Sequence, residues 1–368
     1  MSDKTIYVNH EILEKFMVEV FKGLGVPEDD AKISADVLIT SDKRGIDSHG
    51  INRLKPIYYD RIKEGIQNPV TKFDIIKEGP TTAVVDGNNG MGHVIAKKSM
   101  EIAIKKAKEF GMGMVAVKNS THYGIAGYYV MMAAEAGMIG ITGTNARPSV
   151  APTFGIENML GTNPLTFGMP SDEDFPFVLD CATSLTQRGK IELYAREGKE
   201  CPEGWVIDED GKTKTDSKEI LDDLIKGRAA LAPLGGIGEE LAGYKGYGYS
   251  TVVEIMSAAL QAGNFLKMLN GIEDGKKVPY RLGHFFIAID ISAFIDLESF
   301  KKTTGNILRE LRNSKKAEKN ERIYTAGEKE HEIWLQRKEK GIPVNEELQK
   351  EILQMSEELA LKEFDLGF

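Results

Sequence analysis

The chain has 368 residues, 41% hydrophobic and 28% charged, and its 47 basic and 56 acidic side chains leave a formal net charge of −9. That is material for two or three domains at the usual ~100–200 residues each, and an acidic balance with no basic–aromatic block argues against a nucleic-acid or anionic-membrane partner. Cys181 and Cys201 form no CxxC pair or disulfide framework, no apolar run reaches about 18 residues, and no basic segment leads an apolar one at the start, so a cytoplasmic protein without a membrane span is expected.

Residues 1–70 read as helical. "NHEILEKFMVEVFKGLG" (9–25) places Ile12, Phe16, Val20 and Leu24 at i, i+4 spacing and closes on Gly25-Val-Pro27. "PEDDAKISADVLITSDKRG" (27–45) continues from an acidic first turn, with Ile33, Val37 and Ile46 on its apolar face, and "INRLKPIYYDRIKEG" (51–65) is a further amphipathic piece. The middle alternates. "TAVVDG" (82–87) predicts a strand, "HVIAKKSMEIAIKKAKEFG" (93–111) a helix and "MGMVAVKNS" (112–120) a strand. "AGYYVMMAAEAGM" (126–138) predicts a helix, followed by strands in "IGITGTN" (139–145), "PLTFGMP" (164–170) and "FPFVLDCAT" (175–183). Residues 196–222 are polar and Gly/Pro-punctuated, and read as a mobile excursion. "KGYGYSTVVEIMSAALQAG" (245–263) reads as a glycine loop entering a buried helix, and "HFFIAIDISAF" (284–294) as a largely buried strand. From about residue 300 the chain is charged and helical.

An alternating α/β chain invites a search for a dinucleotide site. In "AVVDGNNGMGHV" the glycines fall at 87, 90 and 92, a GxxGxG order, and the following strand ends at Lys118 instead of an acid. The dinucleotide fingerprint needs its tight turn first and close helix packing last, so this is a tight βα turn and not a Rossmann site. "PLGGIGEE" and "GYKGYGYS" fail the same order.

"DSHGINR" (47–53) sets His49 and Arg53 four residues apart, which on a helix is one face. An imidazole able to move a proton would then stand beside a guanidinium able to grip a carboxylate. His122, in "NSTHYGIAG", follows an apolar strand and precedes a helix, at the carboxyl edge where α/β sheets tend to bind ligands. His49, His122, Asp47 and Asp180 lack any recognised metal-ligand spacing, so no metal is assigned. "MLGTNPLTFGMP" and "FVLDCATS" end strands in small and polar residues whose backbone N–H groups a ligand could approach.

"DSHGINR", "NSTHYGIAGYY", "GTNPLTFGMP", "LDCATSLTQRGKIELY", "PLGGIGEELAGYKGYG" and "HFFIAIDISAF" occur in this order across 47–296. Together they resemble the malate/L-lactate dehydrogenase type 2 family, which includes sulfolactate, ureidoglycolate and diketogulonate dehydrogenases. The resemblance implies an α/β, mixed-sheet, non-Rossmann nicotinamide-binding fold (L-sulfolactate dehydrogenase-like) with helical N- and C-terminal parts, in a homodimer whose active sites lie near the subunit interface. It divides the chain into a helical domain (1–75 with 300–368), an α/β substrate and dimer part (76–120 with 285–299), and a cofactor domain (121–284). It also implies NAD or NADP as cofactor and a small 2-hydroxy/2-oxo acid, malate or lactate, as substrate. His49 would be the acid/base and Arg53 the carboxylate clamp, with Ser48 beside the substrate and His122 next to the nicotinamide as the rival acid/base. Cofactor contacts would come from His122, Asn145, Thr162, Asn163, Asp180, Cys181, Ala182, Thr183, Ser184, Leu185, Lys245, Gly327, Glu328 and Lys329. Two positions depart from the family's usual pattern: Tyr244 stands where a histidine more often precedes KGYG, and Ala326 where a proline often precedes the late Gly-Glu. A larger 2-oxo acid, a ureidoglycolate-like or cyclic imine substrate, and a non-catalytic nucleotide-binding relative are the alternatives. Arg188 and Lys190 follow the cofactor motif and could meet a 2′-phosphate.

Overall fold

A computed structural model describes residues 5–361 and 364–368. In chain order they form β1 (Ile6–Val8), α1 (His10–Gly23), α2 (Glu28–Lys43), α3 (Asp60–Lys63), β2 (Asp74–Glu78), β3 (Thr82–Asp86), α4 (Gly92–Phe110), β4 (Met112–Ser120), α5 (Gly127–Glu135), β5 (Met138–Thr144), β6 (Leu165–Met169) and β7 (Phe177–Cys181). There follow α6 (Arg188–Arg196), β8 (Val206–Ile207), α7 (Ser217–Lys226), β9 (Ala230–Leu231), α8 (Gly243–Ala258), β10 (Ile272–Glu273), β11 (Lys276–Lys277), β12 (Leu282–Asp290), α9 (Leu297–Asn313), α10 (Glu328–Lys340), β13 (Ile342–Val344) and α11 (Glu346–Glu358).

A seven-stranded mixed sheet in the order β2-β3-β4-β12-β5-β6-β7 forms the centre. Only β3 and β4 pair in parallel, joined by α4 as a βαβ unit; the other neighbours are antiparallel. The late strand β12 is inserted between β4 and β5, so its apolar run is covered along both edges, and Phe285, Phe286 and Ala288 are fully buried. One consequence of this order governs the site. Leu282 pairs with Ser120, His284 with Thr144, and Leu165 with both Gly143 and Cys181. The ends of β4, β5 and β7 and the start of β12 therefore share one edge of the sheet.

The glycine turn of 87–92 behaves as its spacing predicts: Gly87 N–H closes on Lys118 O, and a Cβ on Gly92 would lie 2.4 Å from the carbonyl oxygens of Thr121 and His122. Only glycine lets α4 start this close to the strand end that bears His122.

The N-terminal helices and α11 share one core. In α1, Leu13, Phe16, Met17, Val20 and Phe21 are buried, a stripe of i, i+3, i+4, i+7, i+8 spacing, and they pack with Ile352 and Met355 of α11. The stripe is one position off the predicted row at its start, and Ile12 and Leu24 lie only at its margin. Residues 51–65 depart from the expected amphipathic helix. Single 3₁₀ turns (Asp47–His49, Ile51–Arg53) run into a π-helical turn, Leu54–Tyr59, before α3. Pro56 has no N–H to offer the i−4 carbonyl, and the widened turn is one way a helix absorbs that loss.

Residues 196–222 contain β8 and most of α7, and Cys201, Val206 and Ile220 join Val150, Leu160 and Ile191 in a small separate core. α8 also differs from the expectation of a loop before a buried helix. It begins at Gly243, so Gly246 and Gly248 lie within it, while Tyr249, Val252 and Ile255 are exposed. A Cβ on Gly246 would sit 2.1 Å from Leu234 O, so the glycine is needed for close packing and not for a loop.

Candidate active site

The "DSHGINR" segment is fixed at both ends. Asp42, fully buried at the end of α2, accepts the Ile51 N–H through Oδ2 at 2.8 Å, and a Cβ on Gly50 would overlap the same carboxylate. Asp47, for which the sequence suggested no role, takes a bidentate contact from Arg337 of α10, with Nη2 at 2.9 Å from Oδ2. The C-terminal helices thus hold the segment in register.

Ser48 Oγ lies 2.9 Å from His49 Nδ1, which leaves Nε2 without a partner among the described residues. Arg53 donates from Nε to Ser48 O at 2.5 Å, and no carboxylate among the described residues reaches its two terminal nitrogens. The rings of His49 and His122 stack with centroids 5.7 Å apart and planes inclined by 24°. Tyr58, delivered by the π-helical turn, places its hydroxyl 2.5 Å from His122 Nδ1, and Gly124 N–H approaches the same nitrogen at 3.3 Å. An amide N–H only donates, so the arrangement makes Nδ1 an acceptor and puts the proton of the neutral ring on Nε2.

Burial, then the charge of Arg53, lowers the pKa of His49 to about 4. Burial, reinforced by His49, Arg61, His93 and Arg53, holds His122 well below the usual imidazole value. Both rings are neutral at physiological pH. Perturbed titratable groups that face each other beside a cleft make this a candidate functional site.

Next to this pair is a cavity of about 760 Å³. Its wall includes Asp47, Ser48, Asp180, Cys181, Ala182, Ser184, Leu185 and Gly189, and a Cβ built on Gly189 would be 3.8 Å from Arg53 Nη2. Ile46 and Asp180 also line a second cavity of about 300 Å³ with Arg44, Tyr324, Gly327, Lys329 and Glu330. The two form one groove along the β7 end of the sheet edge.

The residues named for the cofactor therefore divide. Asp180 to Leu185, Gly327 and Lys329 bring backbone or side chains to the groove, with Thr183 turned inward to the carbonyls of Thr162 and Asn163. Other side chains are already engaged. Asp180 accepts from Gly127 N–H at 2.6 Å and Thr166 Oγ1 at 3.0 Å, and burial raises its pKa. Asn163 bridges Ala146 N–H to Ser250 O and Glu254, and Asn145 bridges Gly283 N–H to Asn264 O. Glu328 is buried against Arg312 and Arg322 and caps Thr325 N–H. Lys245 is exposed on the first turn of α8, its ammonium over the Tyr244 ring, and is not on the wall of either cavity. Arg188 pairs with Glu192, whereas Lys190 lines the larger cavity.

Sequence reasoning missed Tyr58 and Arg44. The available signal for Tyr58 was Pro56 inside an apparent helix; Arg44 carried none. Among the described residues, no group of three or more His, Cys, Asp or Glu is arranged to hold a metal ion, and no helix is long and apolar enough to cross a membrane.

Known proteins match this chain over nearly its whole length. Residues 8–353 match the family model for malate/L-lactate dehydrogenase. The malate dehydrogenase of Pyrococcus horikoshii is 45% identical over 98% of this chain and 98% of its own. The L-sulfolactate dehydrogenase of Methanocaldococcus jannaschii is 40% identical over 95% and 96% respectively. The solved structure of malate dehydrogenase from Entamoeba histolytica superposes with a TM-score of 0.94 at 48% identity, covering 97% of this chain and 99% of that one. A mixed-sheet α/β fold without a Rossmann fingerprint, a facing histidine pair with a free guanidinium, and a family match across nearly every residue lead to one conclusion: the chain belongs to the malate/L-lactate dehydrogenase family.

Proposed function

We propose that the protein interconverts a 2-hydroxy acid, malate foremost, and its 2-oxo acid, with NAD or NADP as the redox partner. The observation that carries this reading is the unpaired Arg53 guanidinium beside two facing neutral imidazoles. The groove suits a dinucleotide in its supply of cations: Arg44, Lys190 and Lys329 line it, and none of them has a carboxylate partner among the described residues. Those cations would hold its phosphates, and the backbone of Asp180 to Leu185 would lie along it. When bound, the cofactor supplies the acceptor or donor of hydride.

The chain's own residues place the substrate and move the proton. Arg53 grips the carboxylate through its two free terminal nitrogens, which a planar guanidinium does bidentately. His49, oriented by Ser48, takes the hydroxyl proton on Nε2 in oxidation and returns it in reduction. His122 presents Nε2–H to the same oxygen, steadied from behind by Tyr58. A substrate carboxylate on Arg53 also cancels the second cause of His49's low pKa, so binding moves the base toward neutrality, where it can serve both directions.

A homodimer fits the exposed Tyr249, Val252 and Ile255 of α8, and a cytoplasmic location fits the two free cysteines. The deciding experiment follows absorbance of NADH and NADPH with oxaloacetate, pyruvate and larger 2-oxo acids. Cofactor oxidation with oxaloacetate is expected; no oxidation with any of them would end the proposal.

A further inference from the structure

The two groups proposed to do the chemistry, His49 and Arg53, share one hub. Ser48 sets its hydroxyl 2.9 Å from His49 Nδ1, and its carbonyl accepts the Arg53 Nε–H at 2.5 Å. A second rung runs beside this one, with Asn52 Nδ2 donating to Asp47 O at 3.1 Å. The 3₁₀ turns Asp47–His49 and Ile51–Arg53 are thus cross-braced, 47 to 52 and 48 to 53. A shift of residues 47–48 moves the imidazole and the guanidinium together.

What fixes residues 47–48 comes from 290 residues away in the chain. The Arg337 guanidinium holds Asp47 through both terminal nitrogens, with Nη2 at 2.9 Å from Oδ2, and Nη1 also donates to Asp42 O. Arg337 is itself anchored. Ile333, one turn earlier on α10, packs so closely on Gly45 that a Cβ there would lie 2.7 Å from Ile333 Cδ1. A planar fork can make this set of bonds, and an ammonium cannot. The charge matters as well: buried Asp42 feels the Asp47 carboxylate, a repulsion that the guanidinium offsets. Arg337 lines neither cavity of the groove, so any influence it has on the reaction passes through Asp47.

We propose that Arg337 is a positioning residue: through Asp47 and Ser48 it sets the spacing between His49 Nε2 and the terminal nitrogens of Arg53, to which a 2-hydroxy acid must fit. The inference rests on the dehydrogenase reading for its chemistry, while the carboxylate grip can be measured without turnover.

Arg337→Met, Arg337→Lys and Asp47→Asn test it against wild type. In Arg337→Met, kcat/KM for oxaloacetate should fall roughly 10–100-fold, the consequence of an ångström-scale misplacement. Arg337→Lys keeps the charge without the fork and should stay impaired. The double variant Arg337→Met/Asp47→Asn should be no worse than the poorer single one, because both changes remove the same contact. Calorimetric titration with malonate supplies the arm without turnover: its affinity should drop in Arg337→Met while that of NADH or NADPH, read from nucleotide fluorescence, stays at the wild-type value. Wild type that turns over no 2-oxo acid but loses malonate binding on Arg337→Met would remove the dehydrogenase reading and keep the positioning role. Wild-type kcat/KM and malonate affinity in Arg337→Met, or in Asp47→Asn should the first variant not fold, would overturn that role. So would nucleotide affinity falling in step with kcat/KM, or additive losses in the double variant, since the arginine would then be supporting the fold and not the site.

Discussion

His49 and His122 are both neutral imidazoles facing each other, yet their surroundings differ in the way the two proposed roles require. His49 is held at Nδ1 by a serine hydroxyl and exposes a free Nε2, while His122 has its Nδ1 occupied by Tyr58 and Gly124 and so keeps its proton on the opposite nitrogen. A ring that must accept a proton needs the first arrangement, and a ring that steadies an oxygen by donation needs the second. His49→Ala is accordingly expected to lower kcat by about 10²–10⁴-fold, the usual range for loss of a general base, with a smaller change in KM. His122→Ala and Tyr58→Phe should cost less, about tenfold or under. Steady-state rates with oxaloacetate and with malate decide between them: near-normal turnover in His49→Ala together with its abolition in His122→Ala would exchange the two roles. Spacing alone singled out His49 and Arg53 for the proposed site, although the structure carries them on two successive 3₁₀ turns and not on one helix face. Tyr58 was not singled out, because its contribution depends on a contact 64 residues away in the chain.

The element that brings Tyr58 inward is the π-helical turn of Leu54–Tyr59. An ordinary α-helix through these residues would rotate every side chain after the widened turn by roughly 100° per residue of register, the angle set by 3.6 residues per turn. Pro56→Ala restores the missing N–H and removes the clash that disfavours α-helical register. The expected result is a variant as stable as wild type, with turnover reduced by at least about tenfold because Tyr58 no longer meets His122. Thermal unfolding and kcat measured side by side check it; full activity would show that the proline does not maintain the turn. The same scale shows what periodicity could reveal. The helices α1, α2 and α4 and the strands β3 to β7 lie where apolar spacing put them. Three features were hidden because each is set by a distant neighbour. β12 is inserted between two earlier strands, α8 carries its glycines against the Leu234 backbone, and residues 196–222 find their core partners at 150–191.

Across the whole molecule, the sheet edge that assembles the site also buries two further imidazoles, His93 and His284. His93, at the start of α4 with its ring 4.5 Å from Tyr58, has no hydrogen-bond partner on either nitrogen among the described residues, and His284 stacks on Tyr123 at 4.5 Å. Burial lowers both pKa values to about 3, against an unfolded value of 6.5. Between those limits the unfolded chain binds protons that the native state refuses, so these groups make stability rise with pH and fall on acidification from about 6.5 toward 3. Buried Asp42, Asp180 and Glu254 act in the opposite sense: their raised values favour the protonated native form, and the stability they add in acid is lost as pH rises. The net slope mixes both signs, so a single-site difference is the clean measurement. His93→Leu keeps an apolar side chain of similar bulk under Tyr58 and removes one titrating group. Urea unfolding followed by tryptophan fluorescence from about pH 6 to pH 4 should then show a stability slope shallower than wild type by about 1.4 kcal/mol per pH unit, one proton's worth. Parallel slopes in the two proteins would mean that His93 takes up its proton in the folded state, and that the packed wall behind the His49–His122 pair admits water.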